Sequence, residues 1–355
     1  MGWASETVGG FIRVRLPIVS EARNNRRRYL RMRWRIMIYG IVTIVLTGSA
    51  NPAICEKIRW TEKAGMLTPR SNLGVVALDG KVYVIGGHSG QNVNEVYDPA
   101  TDSWRRLANM PTGRSNLGVA VYDGKIYVIG GDSYLPDNEV YDPATNQWTK
   151  LAPMVTPRQH LDCATVDDKI YAISGLSTGR ARCGANEVYI PKFNIWEPRA
   201  RVPIPQHLHS AVTYNDKIYI IGGIGDSIMG TVQVYDTNAD SWETKASMPT
   251  PRYGLGLAVV GDKIYACGGG DKNYKPLPNV EVYDPQTDQW KECTPMPTAR
   301  RLTGAAAIGN RIYVVGGSIS VAGGHPVLGV VEEGVVGAND VIIEWSDVTR
   351  GTNPN

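Results

Sequence analysis

Residues 79–87 read Asp-Gly-Lys-Val-Tyr-Val-Ile-Gly-Gly, and Val-Tyr-Asp-Pro at 96–99 and Trp104 follow them. The pattern returns along the chain, and a tryptophan marks each copy: Trp60, Trp104, Trp148, Trp196, Trp242 and Trp290. Ten residues after each tryptophan comes a long polar residue: Arg70, Arg114, Arg158, Gln206, Arg252 and Arg300. A glycine pair, or Ser174-Gly175 in the third copy, lies sixteen residues further on. A period of 44 to 48 residues predicts a repeat architecture of six units.

Each unit reads as four short β-strands. The first is rich in small residues, as in Leu-Gly-Val-Ala-Val-Tyr at 117–122, and can crowd around a central axis. The second carries a tyrosine before the glycine pair, the third carries Val-Tyr-Asp, and the fourth carries the tryptophan. Four-stranded units of this length are typical of the blades of a β-propeller.

The combination of Asp-Gly-Lys-x-Tyr-x-x-Gly-Gly, Val-Tyr-Asp-Pro and Trp resembles the kelch repeat, over about residues 60–345. This resemblance implies an all-β fold, a six-bladed kelch-type β-propeller with four antiparallel strands per blade. The sixth copy lacks Tyr-Asp-Pro after Gly317, and Asn339–Ile342 is the best match for its third strand. The fourth strand of blade six is then expected at the other end of the chain, in Lys57–Trp60. Such closure by the N-terminal strand removes exposed sheet edges.

The start of the chain has the order of a secretory leader. Residues 1–35 hold nine Arg and two Glu, an apolar run at 36–46 follows, and small residues lead to Ala50. We expect residues 1–50 to be a leader cut after Ala50, or an uncleaved membrane anchor, residues 51–348 to be the propeller, and residues 349–355 to be a tail. Either leader places the propeller outside the cytoplasm, in the periplasm, at the cell surface or in the medium.

The net charge of +3 is unevenly distributed. Residues 1–35 contribute +7, so the remainder of the chain carries −4. A mildly acidic propeller has no net positive charge to attract the phosphates of a nucleic acid, so a nucleic-acid partner is not expected.

The irregular connections of such a propeller gather on one side. Because the first two strands are antiparallel, the residues after each arginine and the loops after each glycine pair share one face, which we call the loop face. These loops vary in length, whereas the hairpins on the opposite face are constant. Variable loops usually carry function.

The repeated arginine has two interpretations. It can form a ring of cations on the loop face for an anionic ligand. Alternatively, it can pair within its blade with the acid two residues before the third-strand tyrosine, such as Glu95 or Glu139. Blade four favours pairing, because its arginine is replaced by Gln206 and its acid by Gln233.

The residue types that follow each arginine vary between copies. Residues with a purely structural role would tend to be the same in every copy. The predicted ligand-binding residues combine both sets: Arg70, Ser71, Asn72, Arg114, Ser115, Asn116, Arg158, His160, Gln206, His207, His209, Arg252, Tyr253, Arg300 and Arg301. His207-x-His209 has the spacing of two metal ligands on a strand, but no carboxylate motif accompanies it. No metal and no cofactor is therefore expected.

Five cysteines are present, and no pair has the Cys-x-x-Cys spacing of a metal site. Cys163 and Cys183 fall in one repeat and form the first candidate disulfide, which an exported protein permits. Buried, unpaired thiols are the alternative.

The predicted function is recognition of a peptide, protein or glycan ligand on the loop face, without catalysis. The alternative is an enzyme that resembles N-acetylneuraminate epimerase, a sialic-acid mutarotase, which is a compact exported kelch propeller. Mutarotation needs an acid and a base, and His160, His207 or His209 beside Asp162 are the candidates. The likeness to galactose oxidase stops at the fold, because no neighbouring Tyr-His pair occurs.

Overall fold

The computed structural model describes residues 57–320 and 326–337, together with the strand pair Thr7–Val8 and Phe11–Ile12. The chain divides into two units, Met1–Gly48 and Ser49–Asn355. The rest of the predicted leader and all of the predicted tail lie outside the described residues. Among the residues that are described, no helix is long and apolar enough to cross a membrane.

Six four-stranded antiparallel sheets form the propeller, as predicted. The strands of blades one to three are Gly74–Leu78, Lys81–Ile85, Asn94–Asp98 and Ser103–Arg106; Gly118–Tyr122, Lys125–Ile129, Asn138–Asp142 and Gln147–Lys150; Asp162–Val166, Lys169–Ile173, Asn186–Ile190 and Ile195–Arg199. Those of blades four to six are Ser210–Tyr214, Lys217–Ile221, Val232–Asp236 and Ser241–Lys245; Gly256–Val260, Lys263–Cys267, Val280–Asp284 and Gln289–Glu292; Gly304–Ile308, Arg311–Val315, Val331–Val336 and Ile58–Lys63.

The loops add three short elements on the loop face. Two single 3₁₀ turns occur, at Asp132–Tyr134 and Thr178–Arg180. The second turn joins Leu176–Ser177 to Ala181–Arg182, which pair as a small hairpin. This extra hairpin belongs to blade three.

The hydrophobic core is divided among the six seams between neighbouring blades. Each seam buries apolar side chains from two blades, and the seam between blades five and six includes Ile58, Cys267 and Ile312. The period-two alternation of each strand explains this, because successive side chains point to the two opposite neighbours.

A repeated set of hydrogen bonds links the outer strands of adjacent blades. The indole nitrogen of each repeat tryptophan donates to a carbonyl of the preceding blade at 2.7–3.1 Å. In blade one, the Asp102 carboxylate accepts both the Tyr97 hydroxyl at 2.6 Å and the Ala64 amide at 2.9 Å. Asp102 has φ 47°, a left-handed conformation that Asp and Asn tolerate, and blades two to five have Asp or Asn at the same place. The turn residue therefore closes its own hairpin and holds the neighbouring blade.

The N-terminal strand closes blade six, as predicted. Ile58–Lys63 pairs along its whole length with Val331–Val336. The prediction that Asn339–Ile342 forms the third strand is wrong, since Val331–Val336 occupies that place, and Asn339–Ile342 lies outside the described residues. Gly334 stands opposite Trp60 where the other blades have tyrosine, so the strand lacks the motif that marks the rest.

The predicted disulfide between Cys163 and Cys183 is wrong. Both thiols are free and buried, as is that of Cys267, and Cys163 and Cys267 act as small apolar groups in the seams. Cys293 is disulfide-bonded. Cys55 lies outside the described residues.

The closing strand provides a stability test. Ile58 is 3% exposed in the seam between blades five and six, whereas its neighbour Arg59 is exposed. We expect Ile58→Ala to lower the free energy of unfolding by about 2–5 kcal/mol and Arg59→Ala to change it by about 0.5 kcal/mol at most. Urea titration measures both. Equal effects of the two changes would show that the strand does not seal the ring.

Candidate functional site

The repeated arginines do not reach the surface. All five are fully buried, and each pairs with a carboxylate of its own blade at 2.5–3.0 Å: Arg70 with Glu95, Arg114 with Glu139, Arg158 with Glu187, Arg252 with Glu281, and Arg300 with Glu332. The pairing hypothesis is thus confirmed. Burial lowers the pKa of Arg70 to about 10, against the opposing effect of Glu95, so the guanidinium stays charged at neutral pH.

Three of the arginines also fix the two ends of a variable loop. Arg70 donates from its Nη1 to the Gly86 carbonyl at 3.1 Å and to the Val93 carbonyl at 2.9 Å, and these two residues bracket the loop of blade one. Arg114 and Arg300 hold their loops in the same way. The arginines therefore support the loop face from below, although their side chains are not placed to touch a ligand above it.

Blade four replaces the ion pair with a neutral one. Gln206 is buried, and its Oε1 accepts from Gln233 at 3.3 Å and from Thr231 at 3.2 Å. Charge is lost from both positions together because either charge alone would be buried without a partner.

Directly above the arginines, six residues close a ring of backbone hydrogen bonds around the propeller axis. Each amide donates to the carbonyl of the equivalent residue in the preceding blade at 2.7–3.2 Å. The members are Asn72, Asn116, His160, Leu208, Gly254 and Leu302. All six have φ between 52° and 59°, a conformation that is uncommon outside glycine. We call this set the central ring.

Beneath the central ring lies a cavity of about 430 Å³, lined by the innermost strands of all six blades. Small residues keep it narrow: a Cβ on Gly118 would lie 2.5 Å from the Cys163 sulfur of the next blade. Asp162 stands where four other blades have glycine, and it is the acidic residue of this lining. Burial raises the pKa of Asp162 to about 7, although the amides of Ala211 and Cys163 each donate to its carboxylate at 2.8 Å.

Each predicted histidine has a different position. His160 belongs to the central ring, and its ring centre is 5.9 Å from that of His207. Burial, followed by His207, lowers the pKa of His160 to about 4. Burial and Arg182 lower the pKa of His207. His209 is 5% exposed in the seam between blades three and four, with a pKa of about 3 that results chiefly from burial.

The remaining predicted residues form two clusters on the loop face. Ser115 and Asn116 surround Asp132, whose carboxylate accepts the Ser115 amide at 2.9 Å and the Asn116 side chain at 2.5 Å. Across the ring, Arg301 donates to the Tyr253 hydroxyl at 2.5 Å. Ser71 is buried beside Asn72, in an antiparallel bridge to His88.

Sequence reasoning did not single out Asp132 or Tyr274. Both lie in variable loops, where no repeat marks an important position. Tyr274 is 56% exposed, and its ring centre is 6.1 Å from that of Tyr253. Buried Tyr253 thus anchors an aromatic side chain that faces solvent, and such a side chain can stack on a sugar ring or an apolar residue.

Comparisons with known proteins agree with this architecture. A family model described as the KLHDC2/KLHL20/DRC7 Kelch-repeats domain matches residues 51–175 and 186–317. The chain is 47% identical over 49 residues to Kelch repeat-containing protein kel-10 of Caenorhabditis elegans, and 42% identical over 53 residues to a putative F-box/kelch-repeat protein of Arabidopsis thaliana. These segments span only 8% and 14% of those relatives. A solved structure, that of YjhT, is similar in fold, with a TM-score of 0.66 and 18% identity over 74% of this chain and 94% of that one.

The buried pairs can be tested with a double-mutant cycle. Arg114→Gln or Glu139→Gln alone leaves one buried charge without its partner, and we expect each to lower the free energy of unfolding by about 3–5 kcal/mol. The double variant recreates the neutral pair of blade four and should recover at least half of the summed loss. Urea unfolding of the four proteins measures the coupling. Additive losses would show that the two side chains do not interact.

Proposed function

This chain belongs to the kelch-repeat family, and on that premise we propose that it is an exported recognition module that binds a peptide or glycan ligand on the loop face. The loop face offers a concave, hydrogen-bonded centre surrounded by loops that differ from blade to blade. Its polar and aromatic side chains suit orientation of a ligand rather than burial of a large apolar one.

One observation carries the proposal. The central ring repeats one backbone geometry six times, yet it presents two asparagines, a histidine, two leucines and a glycine. Elsewhere the fold repeats side chains together with backbone, as the tryptophans and paired arginines demonstrate. A position that keeps its geometry and varies its chemistry is what selective recognition of an asymmetric ligand requires.

Two features support the location outside the cytoplasm. The first is the basic, apolar and then small-residue order of residues 1–50. The second is the disulfide at Cys293, since disulfides persist mainly in oxidising compartments. Mass spectrometry of the native N-terminus tests the first feature, and a mature protein that retains residues 1–50 in the cytoplasm would contradict export.

We expect a panel of peptides and glycans, assayed by thermal shift, to contain compounds that raise the unfolding temperature. Tyr274→Ala should reduce that shift because it removes the exposed aromatic contact, at a cost of about 1–2 kcal/mol in binding. Phe193→Ala is the matched control, since Phe193 is 63% exposed on the opposite face. Equal losses in the two variants, or no shift with any compound, would count against a ligand site on the loop face.

The mutarotase alternative rests on the lining of the central cavity. Asp162, with a pKa of about 7, and His160, with a pKa of about 4, both face it, so at neutral pH the imidazole is neutral and the carboxyl populates both its protonated and its ionised form. General acid–base catalysis uses such a pair. His209 also lines this cavity but is only 5% exposed, and His207 lies outside the lining, which leaves His160 as the more accessible base beside Asp162.

Proton NMR of freshly dissolved N-acetylneuraminate distinguishes the two functions. A binding module leaves anomer exchange at the buffer rate. An enzyme accelerates it, and Asp162→Asn should then lower the rate by about 100-fold or more. Catalysis that survives Asp162→Asn would remove this carboxyl from the mechanism.

A further inference from the structure

A cleft of about 680 Å³ opens on the loop face above the seam between blades three and four, to one side of the axis. His160 and His207 form its inner wall, and Arg180 and Arg182 of the blade-three hairpin form its outer wall. Gly225, in the blade-four loop, completes the rim. The cleft thus combines four separate segments of the chain.

Several polar side chains of the lining have no hydrogen-bond or ion-pair partner, or have only a weak one. Across residues 57–320 and 326–337, Arg180 makes no hydrogen bond or ion pair. Arg182 pairs only with Asp226, whose side chain is 96% exposed, and such a surface pair contributes little. The Nδ1 atoms of His160 and His207 are buried and lack a partner within the same residues. A ligand that accepts hydrogen bonds and carries negative charge would satisfy the two guanidinium groups, and each imidazole would donate to it through Nε2, because its Nδ1 is buried.

The seam below the cleft departs from the repeat at several positions. At the other five seams, the first residue of the glycine pair that follows the second strand is a glycine. A Cβ on that residue would lie 2.6–2.8 Å from the carbonyl oxygen of an arginine in the next blade. At this seam the residue is Ser174, whose hydroxyl donates to the Gln206 carbonyl at 2.6 Å. His209 stands where four blades have leucine, and Gln206 replaces arginine. Departures from a repeat that accumulate at one seam are the usual mark of a functional region.

The family model is also interrupted here, between residues 175 and 186. The missing stretch contains the blade-three hairpin with Arg180 and Arg182. The cationic wall of the cleft is therefore an addition to the common repeat.

We propose that this cleft binds a carboxylate group of the ligand, with Arg180 and Arg182 opposite the carboxylate oxygens and His160 and His207 donating from the inner side. The assignment rests on the proposed ligand site of the loop face and makes it more specific. The carboxylate can come from a sugar acid or from an acidic peptide, and the chemistry of the contact is the same.

Such binding depends on pH in a defined direction. The charged groups around the imidazoles are Arg180, Arg182, Asp132 and Asp226, and Asp132 is already held by Ser115 and Asn116. Both histidine pKa values lie below the ordinary value in the free protein. A carboxylate beside the rings favours imidazolium and raises these pKa values, so protons are taken up on binding and the affinity rises as pH falls.

Calorimetry with the full-length protein at pH 5.5 and pH 8 tests the assignment with two pairs of probes. N-acetylneuraminate is compared with its methyl ester, and a Glu-containing hexapeptide with its Gln analogue. We expect one carboxylate probe to bind at least about tenfold more tightly than its neutral counterpart, and more tightly at pH 5.5. Arg180→Gln/Arg182→Gln should abolish this preference.

The control variant Arg105→Gln/Lys291→Gln also removes two exposed cations, but from outer strands, and should retain the preference. The assignment is overturned if the cleft variant keeps the preference for the carboxylate probe, or if the control variant loses it equally. It is also overturned if each neutral counterpart binds as tightly as its carboxylate probe. Binding of neutral compounds alone would leave the loop-face ligand site standing while removing the carboxylate. Failure of all four probes rejects the cleft, whereas the wider thermal-shift panel decides on the loop face itself.

Discussion

The ion pair inside five of the six blades is the interaction on which the loop face depends. A guanidinium without solvent is stable only when a carboxylate and several carbonyls surround it, and blade one supplies both around Arg70. In blades one, two and six these carbonyls lie at the two ends of the variable loop, so satisfying the charge also fixes where that loop leaves and re-enters the sheet. Loop length can therefore change without disturbing the sheet below. The uniform sheet and the variable loops above it therefore depend on the same contact.

The central ring continues this logic at the axis. Six left-handed residues accept a conformational cost that their closed circle of hydrogen bonds offsets. Because the backbone groups satisfy one another, the side chains of the ring are not needed for structure. Asn116 is consequently available to hold Asp132, and His160 to face the cleft.

Repetition explains what the sequence predicted and what it did not. Six copies of one pattern define the strands, the closure by Ile58–Lys63 and even the pairing of Arg114 with Glu139, because replacement of both charges in blade four reveals their dependence. The third strand of blade six was misplaced because Gly334 has taken the place of the tyrosine that marks it. The thiols of Cys163 and Cys183 share a repeat and both act on Arg158, yet they are not bonded to each other, since proximity in sequence does not fix the direction of a side chain. Arg180 and Asp132 lie in loops, where no second copy exists for comparison.

The seam between blades three and four shows how an asymmetric site can arise on a symmetric scaffold. A ligand with a defined shape cannot use six equivalent contacts, so one sector has to differ from the others. Here Ser174, Gln206 and His209 change together, and two of the changes are joined by hydrogen bonds: the serine hydroxyl donates to the Gln206 carbonyl, and the Gln206 side chain accepts from Gln233. The seam thereby remains filled and hydrogen-bonded while losing its ion pair. Gln206 and Gln233 form a neutral pair beneath the cleft, and the exposed Arg180 and Arg182 line the cleft, so the local departure from the repeat and the cationic surface above it lie in one sector of the propeller.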